Sequence, residues 1–578
     1  MRIREVQIHN FRSIADERIY LRAYSLLIGA NNSGKSNIVD AIRSFYDKDI
    51  KFEIERDLPK FKPTDNESWI EIEFQLSAHE ASTIKSQYLL KGNGCRIRRW
   101  LYPPERGKTG LLGYEEGKLS ENMFYGWKNV GQAKLGNVIY VPATSRLDEH
   151  TKLSGPSALR DLVNDILKTI IKSSAAYIEL RNQFKLFEAS VKREETPDKR
   201  SQEGLESRIN EEIGEWGAKF NFEVSSPEMD EIVKTLIRHS IVDSWLDVPL
   251  DSSAFGHGFQ RHLIFTLIRI SASYVSPDPE PRKKDFSPQF QLLLFEEPEA
   301  FLHPQQQDVL DANLRLLAEH EDRQVIVATH SPHFVSYNTD DIVDLVRLCR
   351  TEGKTCVYQI TRDHIQKIFE ENLEIRKILG GLKGAPATGD TDSLSDHALE
   401  EVRHFLWLNP ERSALFFADL VLIVEGLSEQ VLVNYLIKKG EITVPSKWAF
   451  VLETWGNYNM HRFMNLLGAL GIKHAVLYDF DQSKSGAEKI KQDGIAALIN
   501  QARNQSTLGI DCIPGNSESF LEIKIDTGER WKKAAKILLE AMQGRIRPEL
   551  LAAFTSKIEK LLAGQQAYRP AAARVRTE

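Results

Sequence analysis

The sequence predicts an α/β protein in two successive parts, each built on strands whose carboxyl ends carry polar chemistry. Three observations predict it. Leu26-Leu27-Ile28 opens into Gly29-Ala30-Asn31-Asn32-Ser33-Gly34-Lys35-Ser36-Asn37, and a helical pattern from Ile38 to Phe45 follows at once. Phe290 to Glu297 is an apolar run that ends in two acids. Val421 to Glu425 begins a second run of this kind, matched further on by His474 to Asp481.

At 578 residues the chain exceeds one core, and length alone suggests roughly three or four domains. Its hydrophobic fraction of 42% and charged fraction of 27% are those of an ordinary soluble protein. The net charge of −7 gives no global attraction to nucleic acid, so any such contact must come from local patches. Cys95, Cys349, Cys356 and Cys512 form no Cys-x-x-Cys pair. That argues against a zinc ribbon or disulfide framework and fits a reducing cytoplasm. The alternation from Ile3 to Ile8 leaves no room for a signal peptide, and no apolar run approaches the ~18 residues of a membrane span.

In chain order, residues 1–50 read as two strands, a glycine loop and a helix. Trp69 to Leu76 alternates and reads as a half-buried strand. Gly92 to Gly136, rich in Gly, Pro and aromatics, reads as antiparallel strands and turns, and Asn137 to Pro142 as a short buried strand. From about Ser157 to Ile241 the period becomes helical, with Arg193 to Arg208 a polar turn inside it. The heptads are not sustained, which excludes long coiled-coil arms. Gly380 to Asp396 has the composition of a flexible segment and marks a domain boundary. The expected division is 1–156, a helical insertion at 157–245, 246–385, a linker and helix at 386–415, and 416–578.

The glycine loop places backbone N–H groups and a helix N-terminus around a polyphosphate. Gly29, Asn32, Gly34, Lys35, Ser36 and Asn37 are its expected nucleotide contacts. Lys35 would reach the β/γ-phosphates of ATP, and Ser36 would join a Mg²⁺ shell. At the end of the acidic strand, Glu296 is assigned to the metal and Glu297 to the attacking water. Asp is commoner than Glu at the first of these positions. His330, just past another strand, could reach the γ-phosphate. Ser252 to Arg261 precedes a helix and could clasp phosphate through Gly256, Gly258 and Gln260.

In the second part, Glu425 ends one strand and Asp479-Phe480-Asp481 another, so a parallel sheet would bring both to one edge. Asp479 and Asp481 would point to one side. An all-oxygen cluster suits Mg²⁺ or Mn²⁺ and phosphodiester hydrolysis.

The order of phosphate loop, clasp, Glu-Glu strand and histidine resembles the ABC-type ATPases of the SMC/RecF group, as does the opening Ile8-His9-Asn10-Phe11-Arg12-Ser13. The clasp departs from their Leu-Ser-Gly-Gly-Gln, keeping only Gly-x-Gly-x-Gln. Glu425 with Asp479/Asp481 resembles the Toprim domain. That likeness makes Glu429 a further acid of its nuclease branch, Glu518 a later metal ligand and Lys533 the candidate catalytic lysine. The two in one chain resemble the OLD family of nucleases, nearest the subtype of the Gabija antiphage system. The resemblance implies a metal-dependent DNA endonuclease gated by ATP, a dimer or tetramer dimerising through the helical insertion, and a UvrD-like helicase partner. The alternative is a non-cleaving, ATP-closed DNA-repair clamp, which predicts that Glu425→Ala leaves function intact. A Toprim primase or topoisomerase is disfavoured, for want of a zinc-binding cysteine set or a separate tyrosine domain.

Overall fold

A computed structural model describes residues 1–47, 50–103, 110–126, 135–142, 290–300, 302–335, 339–363, 410–446, 449–525 and 529–564, with scattered positions between 174 and 288 and at 365 and 370. The chain divides into two compact units. One comprises Met1–Val138, Phe286–Glu299 and His303–Glu578; the other comprises Ile139–Asp285 with Ala300–Leu302.

The first unit opens with β1 (Arg2–Phe11), β2 (Ile14–Tyr20), β3 (Tyr24–Ile28) and helix α1 (Lys35–Tyr46). Three strands thus precede the loop where the sequence suggested two. β2 is hard to read because Asp16, Glu17 and Arg18 break its apolar pattern, yet it pairs with β1 from Phe11↔Ile14 to Glu5↔Tyr20. β4 (Ser68–Gln75), β5 (Gly94–Tyr102), β6 (Leu111–Glu115) and β7 (Lys118–Met123) complete an antiparallel sheet of order β2-β1-β4-β5-β6-β7. The alternation in β4 is real, but the strand is buried on both faces, not half-buried. Its polar side is covered by ion pairs: Arg98 reaches Glu71 at 2.8 Å and Arg96 pairs with Glu73. Arg98 also lies 3.7 Å from the Trp69 ring centroid.

β8 (Asn137–Val141) starts where expected, with the Asn137 N–H donating to the Phe290 carbonyl at 2.8 Å. In the second unit, helix α2 (Gln202–Ile213) takes up the end of the stretch expected to be a polar turn. Four of its residues are Glu and only Arg208 is basic, so composition hides its helical period. β9 (Ile241–Asp243) and β10 (Val248–Leu250) form a hairpin. Gly258, Gln260, the 380–396 segment and most of the expected helical insertion lie outside the described residues.

Back in the first unit, β11 (Gln291–Glu296), helix α3 (Pro304–Ala318), β12 (Arg323–Ala328), β13 (Leu345–Thr351) and β14 (Lys354–Gln359) build a sheet of order β14-β13-β3-β12-β11 around the buried β3. β11, β12, β3 and β13 run parallel, so the ends of β3, β11 and β12 share one edge. Cys349 and Cys356, far from any Cys motif in sequence, face each other across β13 and β14 as free thiols.

The C-terminal sheet is wholly parallel, in the order β16-β15-β17-β18, from β15 (Leu420–Val424), β16 (Ala449–Glu453), β17 (Lys473–Phe480) and β18 (Thr507–Pro514). Helices α4 (Leu427–Lys439), α5 (Met460–Ala469), α6 (Gly486–Gln501), α7 (Arg530–Met542) and α8 (Pro548–Leu562) accompany it. All five residues of β15 are buried, as a two-sided parallel strand requires. One core joins Leu422, Val424 and Leu477 to Leu432 and Leu436 of α4 and Phe554, Ile558 and Leu561 of α8. From β15 the chain crosses to β16 on one side and then to β17 on the other. That reversal opens a crevice beyond the carboxyl ends of β15 and β17. No described helix is long and apolar enough to cross a membrane.

Candidate functional site

The glycine loop has the backbone its glycines permit. Gly29 and Gly34 adopt φ of 147° and 109°, and Asn32 takes 66°. Space forbids larger residues too: a Cβ on Gly29 would strike the Leu348 carbonyl, and one on Gly34 the Thr355 hydroxyl. Lys35 is buried and donates to the carbonyls of Gly29 at 2.8 Å and Ala30 at 3.1 Å. Burial lowers its pKa to about 8, while Glu297, Glu299 and Glu296 oppose the shift. The Ser36 side chain is exposed at the first turn of α1. Asn37 faces the N-terminal motif, donating to Ser13 Oγ at 2.6 Å. Arg12 of that motif is held by Asp40 at 2.6 Å and Asp57 at 2.8 Å.

Glu296 closes β11 opposite Ala328. Glu297 then turns into the left-handed region (φ 44°), with its N–H on the Ala328 carbonyl at 2.7 Å. A non-glycine residue in this conformation is a local strain typical of working sites. His330 Nε2 lies 3.7 Å from Glu297 Oε1. Burial and the Lys35 charge lower the His330 pKa to about 4, so near pH 7 the imidazole is neutral. Sequence reasoning missed Glu299: its Oε1 accepts the His330 N–H at 2.7 Å, and its charge acts on Lys35. The signal was a third acid two residues past Glu297, across Pro298.

The hairpin β13–β14 backs this loop and also touches the C-terminal sheet. Thr355 Oγ1 donates to the Ser33 carbonyl at 3.1 Å and lies 2.7 Å from Ser13 Oγ. From β13, the buried Arg347 donates through Nε to Phe416 O (3.3 Å), through Nη2 to Ala418 O (3.0 Å), and through Nη1 to Leu470 O (3.1 Å) and Gly471 O (3.4 Å). These carbonyls lie just ahead of β15 and β17. Gly471 has no room for a Cβ because the Tyr358 ring of β14 occupies it.

At the far ends of β15 and β17 the expected acids meet. Glu425 Oε2 accepts the Asp479 N–H at 3.2 Å, and Glu429 Oε2 accepts the Gly426 N–H at 3.0 Å. Burial raises Glu425 to about 7, with Glu429 adding to the shift. Burial raises Asp479 to about 9, reinforced by Glu429, Glu425 and Glu518. Asp479 Oδ1 is buried without a hydrogen-bond partner. Asp481 lies just beyond the end of β17, half-buried, with Oδ1 accepting from Ser483 N at 2.9 Å and Ser483 Oγ at 2.6 Å. The alternation that would align the two aspartates stops at Phe480. Among the described residues, no three acids, cysteines or histidines stand close enough to form a finished metal cage.

Lys533 sits half-buried in the first turn of α7, which packs on the Glu429-bearing α4, and among the described residues it pairs with no acid. Lys484, which sequence reasoning missed, follows Asp481 in the same turn, and its charge lowers the pKa of both Glu425 and Asp481.

Comparison with known proteins agrees with this two-part build. Residues 1–123 and 114–335 match the AAA ATPase domain family, and residues 416–481 match the Overcoming lysogenization defect protein-like TOPRIM domain. The Old nuclease of Escherichia phage P2 is 25% identical over 561 residues, covering 92% of this chain and 85% of that protein. Endonuclease GajA of Bacillus cereus (strain VD045) is 23% identical over 566 residues, covering 93% and 83%. The OLD nuclease of Thermus scotoductus is 24% identical over 279 residues, 46% of this chain and 47% of its own length. The chain belongs to the AAA ATPase domain family and joins that domain to an OLD-like TOPRIM domain.

Proposed function

We propose that the protein is a DNA endonuclease whose TOPRIM centre hydrolyses phosphodiesters with Mg²⁺ or Mn²⁺, under the control of ATP bound at Gly29–Asn37. One observation carries the reading. The charges of three buried or half-buried acids, Glu425, Glu429 and Glu518, act on Asp479, which keeps a buried oxygen with no donor, and a divalent cation would relieve both conditions. Glu425, Glu429, Asp479 and Glu518 would hold it, with Asp481 entering from its turn. Such an ion polarises the phosphodiester and activates water when bound. Glu425, with its raised pKa, can take the proton of that water. On the ATPase side, Ser36 and Glu296 would hold Mg²⁺, Glu297 would orient water and neutral His330 would donate to the γ-phosphate. Lys35 would exchange its two carbonyl acceptors for phosphate oxygens.

The β13–β14 hairpin supports gating. It walls the nucleotide loop and grips the starts of the two strands whose tips carry Glu425 and Asp479. We further propose the five-part division given above, a dimer or tetramer assembled in part through 157–245 and the Gly256–Gln260 clasp, a UvrD-like helicase partner and a role in antiphage defence. The family relationship supports these.

The test is plasmid cleavage with Mg²⁺ or Mn²⁺, with and without ATP. Wild type should nick or cut, at a rate that ATP changes, and Lys35→Ala should lose the ATP effect while retaining cleavage. Equal rates with and without ATP would remove gating. The cation on the scissile phosphate can be identified in the same assay. Lys484→Ala should slow cleavage about tenfold to hundredfold, and Lys533→Ala less. The reverse order would return the role to α7.

A further inference from the structure

The loop of residues 454–459, between β16 and α5, presents two exposed aromatic side chains beside the TOPRIM acids: Trp455 is 39% and Tyr458 44% exposed. The loop is tied to the strand that ends in Glu425. Gly456 N–H donates to the Glu425 carbonyl at 3.0 Å, and Thr454 N–H donates to Val424 O at 3.2 Å. Buried polar groups brace it from below. Asn459 Nδ2 donates to Thr454 O at 2.8 Å, and Arg462 Nη1 donates to Asn459 Oδ1 at 2.7 Å.

Two features separate Trp455 from a stray surface aromatic. Its φ is 54°, the left-handed region that a bulky residue enters only at a cost. Gly456 follows at φ 120°, and its missing Cβ leaves room for the Tyr458 ring. The Arg412 guanidinium lies 4.3 Å from the Trp455 ring centroid and is itself fixed by Glu453 at 2.7 Å. The indole is therefore held in one orientation next to the acids.

We propose that Trp455 and Tyr458 form a stacking platform for an unpaired nucleotide of the strand presented to Glu425 and Asp479. The proposal rests on the nuclease reading above. Aromatic faces hold bases of any sequence, and the cation behind Trp455 suits a polyanion. A cation held by the acids would take the scissile phosphate, leaving a base of the same strand for the aromatic faces beside it. Bases in intact duplex are already stacked on each other. The platform therefore selects DNA that is locally open, at a gap, flap, mismatch or single-stranded end.

Fluorescence anisotropy with the full chain tests this, using labelled single-stranded, gapped and blunt duplex oligonucleotides of equal length with Ca²⁺ in place of Mg²⁺. Trp455→Ala and Tyr458→Ala should each weaken binding to the first two by about tenfold and to blunt duplex by less than about twofold. Trp455→Phe should keep most of the binding. An equal loss on all three oligonucleotides overturns the proposal. So does unchanged binding by a variant whose thermal unfolding matches wild type. Tyr458→Ala carries the test if Trp455→Ala does not fold. Cleavage by Asp479→Ala reads the nuclease assignment separately: a variant that cut like wild type would remove that assignment and leave the binding result standing.

Discussion

Asp479→Ala cuts plasmid at least about 10³-fold more slowly than wild type under Mg²⁺ or Mn²⁺, because it removes the carboxylate on which the other acids converge. Asp479→Asn makes the sharper comparison. Burial and three neighbouring acids raise the folded-state pKa of Asp479 to about 9 from an ordinary 3.8, so between those values the folded chain prefers the protonated form. Ionisation at pH 7 therefore opposes folding, and the opposition grows as pH rises through this window. The amide removes that charge. In metal-free buffer Asp479→Asn should melt at or above the wild-type temperature while its cleavage is lost. A carboxylate kept only for structure would give the reverse pattern, with lower melting temperature and intact cleavage. Differential scanning fluorimetry beside a plasmid assay distinguishes the two, and wild-type cutting by either variant would end the nuclease reading.

Arg347→Met carries the other large effect. The guanidinium satisfies four backbone carbonyls in a buried seam, and methionine satisfies none. Leaving several buried acceptors without donors should cost about 3–5 kcal/mol and lower the melting temperature accordingly. Lysine, with one compact ammonium, cannot span the same four acceptors and should recover only part of the loss. The functional consequence is more specific. With the hairpin released from β15 and β17, the ratio of cleavage rates with and without ATP should fall toward one, even where the variant still binds nucleotide. A variant that remains folded and keeps the wild-type ratio would move the coupling elsewhere.

What could be read from the sequence was the chemistry whose parts are neighbours in the chain. The phosphate loop, the β11 acids and the strand ending in Glu425 each combine an apolar run with polar residues at a fixed offset, and each folds as that combination suggests. The convergence of Glu425 with Asp479 also followed, because parallel strands deliver their tips to one edge. The features that escaped depend on distant partners. Arg347 is one of two arginines in β13, and its acceptors come from backbone 69 to 124 residues away, which carries no residue code. The buried face of β4 depends on arginines of β5. Asp481 lies one residue past the end of β17, where strand alternation no longer fixes the direction of a side chain. Glu299 and Lys484 sit in turns, where side-chain direction follows from backbone angles and not from periodicity.

The Arg347 seam also bears on the order in which the protein is built. β13 is seated on β3, one of the first segments to leave the ribosome, whereas β15 and β17 emerge later. Translation therefore completes the cradle before the nuclease strands arrive, and those strands settle onto a guanidinium already in position. A TOPRIM segment made alone, beginning near residue 416, would bring the carbonyls of Phe416, Ala418, Leu470 and Gly471 without the group that receives them. The catalytic half is thus a guest of the nucleotide-binding half from its synthesis onward.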